Sequence, residues 1–174
     1  MTKIVLLGPE SSGKSTLALE LAEFFNGCYV KEYARDYLNE INRDYAESDL
    51  LKIAKGQIDL EKRIENKCSD IGKELIFFDT DMTVLKIWSE FKFGQCHPWI
   101  ISQYREREYD LYLLTYPDLE WVPDPLRENP DDREKIFELY LDDLQKRELK
   151  YKIIRGSGSY RTQYAIKAVK EVLS

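Results

Sequence analysis

Apolar residues fall along this chain in two rhythms. Short unbroken runs recur at Lys3–Leu7, Cys28–Lys31, Glu74–Phe78, Asp110–Leu114 and Tyr151–Ile154. Runs of this length suit strands buried on both faces, the habit of parallel sheets. Between them the apolar residues shift to a spacing of three and four, the period of a helix with one face inward. Glu47–Asp70 carries this most fully, through Leu50, Leu51, Ile53, Ala54, Ile58 and Ile64, with Ser48 where an N-cap belongs. Helices are also expected over Thr16–Phe25, Asp81–Phe91 (ended near Gly94), Pro98–Arg107, Asp131–Leu149 and Tyr160–Leu173. Strands alternating with helices predict an α/β fold around a parallel sheet. The chain has 174 residues and no repeat, linker or low-complexity tract, so a single domain over 1–174 is expected.

One stretch breaks the alternation. Residues 115–130 contain Pro117, Pro123, Pro125 and Pro130 and no periodic pattern. A long irregular stretch inside a compact domain is typically a lid or binding loop, and we place a lid at about 115–135.

The most specific signal lies where the first apolar run meets the first helix. Gly8-Pro9-Glu10-Ser11-Ser12-Gly13-Lys14-Ser15 is a complete phosphate-binding P-loop, followed by Thr16. Its glycines let backbone N–H groups turn toward phosphate oxygens, and the helix N-terminus adds positive partial charge. Lys14 is expected on the β- and γ-phosphates of ATP and Ser15 on Mg²⁺. A second nucleotide element needs an acidic residue at the end of a buried strand. Asp79 after Leu75-Ile76-Phe77-Phe78 fits as a Mg²⁺ partner, or else caps the next helix. Asp81 either caps that helix or faces substrate.

Composition narrows the class. Lys and Arg total 26 against 32 Asp and Glu, a net charge of −6, which argues against a broad nucleic-acid surface. No apolar run has the length of a signal core or membrane span, so a cytoplasmic protein without membrane partners is expected. Cys28, Cys68 and Cys96 are odd in number and widely spaced, and are read as reduced, buried thiols without a disulfide. His97 is the only histidine, which excludes a two-histidine zinc helix and a paired-histidine nucleotidylyltransferase loop. No nucleophile elbow supports a hydrolase. Thr115-Tyr116-Pro117-Asp118 stands where a GTPase would read guanine. The length disfavours an AAA+ module with its extra helical domain, and no second Walker motif suggests a transporter ATPase. A small kinase remains.

Such a kinase must hold an acceptor hydroxyl in line with the γ-phosphate. Glu32 follows the second strand, at the sheet edge where open α/β sheets bind ligands, to grip ribose hydroxyls or act as base. Arg35 either reaches substrate or pairs with a nearby carboxylate; with Arg43 it could serve a phosphorylated acceptor. Arg127 and Arg133 are candidate lid arginines, Arg133 because a cation is unfavourable at a helix start. Trp88 and Trp99 either line an acceptor pocket or pack in the core, and Trp121 is a packed aromatic or else a hinge anchor. Gly156-Ser157-Gly158-Ser159-Tyr160-Arg161 follows the last strand and suits a loop against adenine, with Ser159 as a possible cap.

Several stretches then act together: GPESSGKSTL, KEYARDYL, FFDTDMTVLKIW, YDLYLL and WVPDPLR. In this order, from Lys3 to about Val172, they resemble the ribosylnicotinamide kinase domain of NadR-type NAD-salvage proteins. The resemblance implies a P-loop kinase-like three-layer sandwich with a five-stranded parallel sheet. It implies ATP-dependent phosphorylation of the 5′-hydroxyl of nicotinamide riboside, a small-molecule nucleoside acceptor. It places Lys14, Ser15 and Asp79 at ATP–Mg²⁺. It places Glu32, Tyr33, Arg35 and Asp81 toward the acceptor, and Asp124 and Arg127 in the lid. The adenylyltransferase and DNA-binding domains that accompany this module in multifunctional members have no counterpart in these residues. Lys31 stands before Glu32 where the pattern expects proline or an aromatic. Two alternatives stay open: an ATP-binding regulatory module with weak hydrolysis, and a kinase of another nucleoside or nucleotide.

Overall fold

The computed structural model describes residues 1–41 and 43–174. Among them five strands form one sheet: β1 (Thr2–Leu7), β2 (Cys28–Val30), β3 (Leu75–Asp79), β4 (Leu111–Thr115) and β5 (Tyr151–Ile154). Their order is β2-β3-β1-β4-β5 and every pairing is parallel. Seven helices cover it: α1 (Lys14–Phe24), α2 (Tyr33–Ile41), α3 (Glu47–Asp70), α4 (Met82–Phe93), α5 (Pro98–Glu106), α6 (Arg133–Lys146) and α7 (Gly158–Leu173).

The unbroken apolar runs have the cause expected of them. Alternate residues of the central strands feed two cores. Val5, Leu7, Ile76, Phe78, Tyr112 and Leu114 pack with Leu60 of α3, Ile87 of α4 and Phe137 of α6. Ile4, Leu6, Phe77, Leu111 and Leu113 pack with Leu17 and Leu21 of α1 and Val169 of α7. Each large side chain buried this way contributes about 1.5–3 kcal/mol, so the three central strands form the stiff floor of the molecule. A third cluster, with Leu50, Ile53, Met82, Leu85 and Ile100, holds α3, α4 and α5 together.

Several local expectations change. The α2 helix has no counterpart among the expected helices, although Ala34, Tyr37, Leu38 and Ile41 fall at helical spacing and Tyr37 and Leu38 pack on the third cluster; it is only nine residues long and fully buries Ala34 alone. Ser48 does not cap α3. The helix begins at Glu47 after Ala46, whose N–H donates to the Asp49 carboxylate at 2.9 Å, leaving Ser48 inside the first turn. Ser159 likewise lies within α7, whose cap position is Ser157. The α6 helix is shorter at both ends than Asp131–Leu149.

The cysteine expectation is overturned. Cys28 and Cys68 are joined as a disulfide, with Cα atoms 6.0 Å apart across 40 residues of sequence. The reason is topological: α3 folds back along the edge strand β2 and returns Cys68 to the strand's first residue, which linear spacing does not reveal. Cys68 is buried, whereas Cys28 and the free thiol Cys96 are partly exposed. Among the described residues no helix is long and apolar enough to cross a membrane.

Candidate functional site

One pocket of about 200 Å³ opens beyond the C-terminal ends of β1 and β2, and the phosphate loop forms its base. Gly8 and Gly13 have φ of 144° and 77°, conformations that side chains rarely adopt. A Cβ on Gly8 would lie 2.7 Å from the Thr115 carbonyl oxygen, and one on Gly13 would lie 2.8 Å from Leu119 Cδ1. The loop's carbonyls are held from below. Thr115 Oγ1 donates to Leu7 O at 3.0 Å, and Ser12 Oγ donates to Pro9 O at 2.7 Å. Buried Arg161 donates to Ser12 O and, at 2.9 Å each, to Gly156 O and Asp118 Oδ1. The α1 helix then opens at Lys14, so its first-turn amides point into the loop, the arrangement that binds anions.

Two carboxylates stand close to the phosphate loop, Glu32 beside Lys14 and Asp79 beside the strand that leads into it. Glu32 lines the pocket just beyond β2. Burial pushes its carboxyl above the ordinary range; Lys14 opposes the shift and Asp79 adds to it. Asp79 ends β3 in register with Leu6, the residue two before the loop. It is only 2% exposed, its Oδ2 accepts from Tyr29 Oη at 3.4 Å, and its Oδ1 has no partner. The next residue, Thr80, has φ 109° and an unpartnered buried hydroxyl. For a β-branched residue this is a strained turn, and such strain gathers at functional sites. The turn leads the chain from Asp79 beside the phosphate loop to Asp81 at the head of α4. Asp81 accepts from Thr83 N at 2.9 Å and Thr83 Oγ1 at 3.0 Å, and burial raises its carboxyl to about 6.

The pocket's roof comes from the irregular segment between β4 and α6. Arg127 lines the pocket, donating to Val122 O and, at 3.5 Å, to Ser11 Oγ. Arg133 donates to Leu119 O at 2.9 Å and Ser11 O at 3.4 Å, with its guanidinium 5.7 Å over the Trp121 ring. Arg35 pairs with Asp124 at 2.9 Å, tying α2 to the roof.

Thus the pocket unites Gly8, Glu10, Ser11, Ser12, Gly13, Lys14, Ser15 and Thr16 with Glu32, Arg35, Trp88 and Arg127. Asp79 lies buried next to the loop strand, not on the pocket's wall. Six other expected residues stand outside the wall. Tyr33 turns its ring onto Gly56 of α3. Asp81 caps α4, Asp124 holds Arg35, and Arg133 holds the loop's backbone. Ser159 and Tyr160 lie in the first turn of α7, with Tyr160 83% exposed. Arg43 is bound bidentately to Asp49 at 2.7 and 2.9 Å, so it does not extend the cationic wall. Trp99 packs in the third core cluster under Lys55. Lys31 pairs with Asp36 at 2.5 Å on the exterior.

The sequence reading missed Phe91, Ile136, Asn129 and Tyr140, all on the wall. Tyr140 is buried beside Glu32, and burial raises its phenol. Its helical spacing with Ile136 and Leu144 reads as core, which it also is, so periodicity gave no signal of the second role.

Comparison with known proteins agrees with this geometry. The AAA domain family matches residues 3–161. Its matched span contains the phosphate loop and the sheet, so the AAA class that the chain's length disfavoured is the family it matches. The Trifunctional NAD biosynthesis/regulator protein NadR of Escherichia coli (strain K12) is 32% identical over 159 residues, covering 85% of this chain and 37% of that protein. The crystal structure of NadR protein in complex with NR superposes with a TM-score of 0.86 at 27% identity, covering 98% of this chain and 51% of that one. The structure of NadR protein in complex with NAD and AMP-PNP gives 0.81 at 27% identity, covering 98% and 49%. The resemblance to NadR-type proteins therefore extends over most of this chain. The chain spans well under half the length of that curated relative.

Proposed function

The chain belongs to the AAA domain family, and from that premise we propose that it is an ATP-dependent kinase of nicotinamide riboside, yielding nicotinamide mononucleotide. One observation carries the reading. A phosphate loop with Lys14 and Ser15 shares a single pocket with Glu32 and with a wall of Trp88, Phe91 and Tyr140 suited to a flat base. The NadR relatives, one bound to NR and one to NAD and AMP-PNP, support the same pair of ligands.

In this reading Lys14 and the α1 amides hold the β- and γ-phosphates and offset charge as the phosphoryl group leaves. Arg127 approaches the same group from the roof. Glu32 orients the acceptor's 5′-hydroxyl and takes its proton; a carboxyl raised by burial is a better base than an ordinary one. Tyr29 holds one oxygen of Asp79 and leaves the other free. That unpartnered, buried oxygen, with the Ser15 hydroxyl, fits Mg²⁺. No group of three or more metal-binding side chains occurs among the described residues, so most of the cation's ligands would be phosphate oxygens and water. Bound there, Mg²⁺ would neutralise phosphate charge. A lid role for 115–135 and a single-domain organisation are part of the proposal.

The test is incubation with Mg²⁺–ATP and a panel of nucleosides, with products identified by mass. Nicotinamide mononucleotide well above all other products supports the reading. ADP without any phosphorylated acceptor refutes it in favour of a regulatory ATPase, and a different phosphorylated nucleoside refutes the acceptor.

A further inference from the structure

Two side chains of the phosphate loop turn away from the phosphate position. Glu10 and Ser11 occupy its variable positions, and a carboxylate is electrostatically opposed to an incoming triphosphate. Their side chains are used elsewhere. Glu10 Oε2 accepts the backbone N–H groups of Glu128 at 3.0 Å and Asn129 at 2.9 Å. Ser11 Oγ accepts the N–H of Val122 at 3.0 Å. These bonds cross more than a hundred residues of sequence and land on the irregular segment that roofs the pocket. The Glu128 side chain in turn takes a hydrogen bond from Tyr45 Oη at 2.5 Å and pairs with Lys92 at 2.6 Å. Tyr45 Oη accepts from the indole of Trp88, a pocket wall, at 2.8 Å. The roof is thus strung between the phosphate loop on one side and the base-binding wall on the other, and Glu10 is the anionic end of that string.

We propose that Glu10 is a positioning residue that couples closure of the 119–129 roof to the phosphate loop, so that the phosphoryl group goes to the acceptor and not to water. The inference rests on the kinase reading above. In the coupled reaction the bond from the γ-phosphorus to the ADP oxygen breaks, a bond to the acceptor oxygen forms, and the hydroxyl proton passes to the Glu32 carboxylate. With the roof loose, a water oxygen takes the acceptor's place and inorganic phosphate is released. A closed roof excludes that water. The two amide bonds are charge-assisted, the stronger class, so one carboxylate is enough to bias the roof.

Two measurements on the full chain test this, comparing wild type with Glu10→Ala and Glu10→Gln. The first is hydrogen exchange of the backbone. Loss of the carboxylate should speed exchange in the peptide spanning 120–130 by about tenfold, the scale of one charge-assisted hydrogen bond, while β1, β3 and β4 stay protected. Glu10→Gln keeps one acceptor oxygen and should fall between. The second is the ratio of ADP to phosphorylated nicotinamide riboside. It should be one for wild type and rise above one for Glu10→Ala, with the acceptor KM up about tenfold. Unchanged exchange in 120–130 overturns the latch whatever the activity. Faster exchange with a ratio still at one and an unmoved KM overturns the coupling. If wild type phosphorylates no acceptor, the kinase reading fails and this one with it, a failure seen before any variant is made.

Discussion

The floor and the roof of the pocket are built by different physics. The floor is three strands whose side chains are almost wholly buried, with β1, β3 and β4 sharing two apolar cores. The roof runs from Tyr116 to Asp132 without a helix or strand. Val122 and Glu128 there are exposed, and the segment is held mainly by side chains bonding to backbone. Burial is cooperative and tolerant of sequence detail, whereas each roof bond is one replaceable contact worth about 0.5–1.5 kcal/mol. A rigid floor can fix Lys14 and Glu32 to the accuracy phosphoryl transfer needs, while a lightly held roof can open for ligands to enter.

The sharpest way to break this contrast is at the floor. Lys14→Ala removes the cation that offsets transferring charge without touching either core. The expected result is a fall in kcat of about 10³ with an unchanged fold, measured by turnover and thermal melting. A variant that retained turnover would remove the phosphate-loop assignment. Next is Glu32→Gln. Its carboxyl is raised by burial, so its ionised, base-competent form is lost as pH falls through a value above the usual carboxylate range. Wild-type kcat should therefore show an acidic limb in that window, and the variant should lose about 10² in kcat together with that limb. ATP affinity should hold; if ATP binding alone is lost, Glu32 belongs to the nucleotide side.

The same contrast explains what the sequence disclosed. Every strand was legible within a residue or so, the central ones because continuous burial leaves continuous apolar runs, as in Leu111–Leu114, each 0% exposed, and the half-buried edge strands β2 and β5 by their short apolar runs alone. The phosphate loop was legible because its glycines answer to backbone geometry that a motif records. The roof was located by its prolines but its bonds were not, since Glu10 meeting Glu128 and Asn129 is a long-range event between unremarkable polar residues. Arg35 was expected toward the acceptor and Asp124 in the lid; the ion pair that joins them, 89 residues apart, left no mark in the sequence. Asp79 and Asp81 were both open to a capping role on paper; in the structure Asp81 caps α4 and the φ of 109° at Thr80 leaves Asp79 at the end of β3. The Cys28–Cys68 link was misread because parity and spacing carry no information about which helix returns to which strand.

Asp81 gives a smaller but cleaner test of the floor, through pH. Its carboxyl rises from an ordinary 3.8 to about 6, chiefly by burial. A raised carboxyl favours the folded state below the unfolded value and loses that favour as pH climbs through the folded value. Stability should therefore decline between about pH 4 and pH 6, by on the order of 2–3 kcal/mol for this site alone. Asp81→Asn keeps an oxygen for the Thr83 N–H and removes the buried charge. Urea titrations at several pH values should find the variant more stable than wild type at neutral pH and without that decline. Equal curves would mean that Arg147, which pulls the carboxyl the other way, fully compensates the burial.

The roof supplies the smallest expected change. Arg35 and Asp124 are 2.9 Å apart, but half of the Arg35 side chain is exposed, so solvent screens the pair and Arg35→Ala should cost under about 1 kcal/mol. Asp124→Ala should cost more, because the same carboxylate accepts the N–H of Leu126 at 2.9 Å and so shapes the turn before Arg127. Together they separate charge from shape. If the roof is held chiefly by side chain-to-backbone bonds, Asp124→Ala should lower kcat while Arg35→Ala changes only the salt dependence of the acceptor KM. Equal losses from both would mean that the ion pair, and not the turn, carries Arg127 to the pocket.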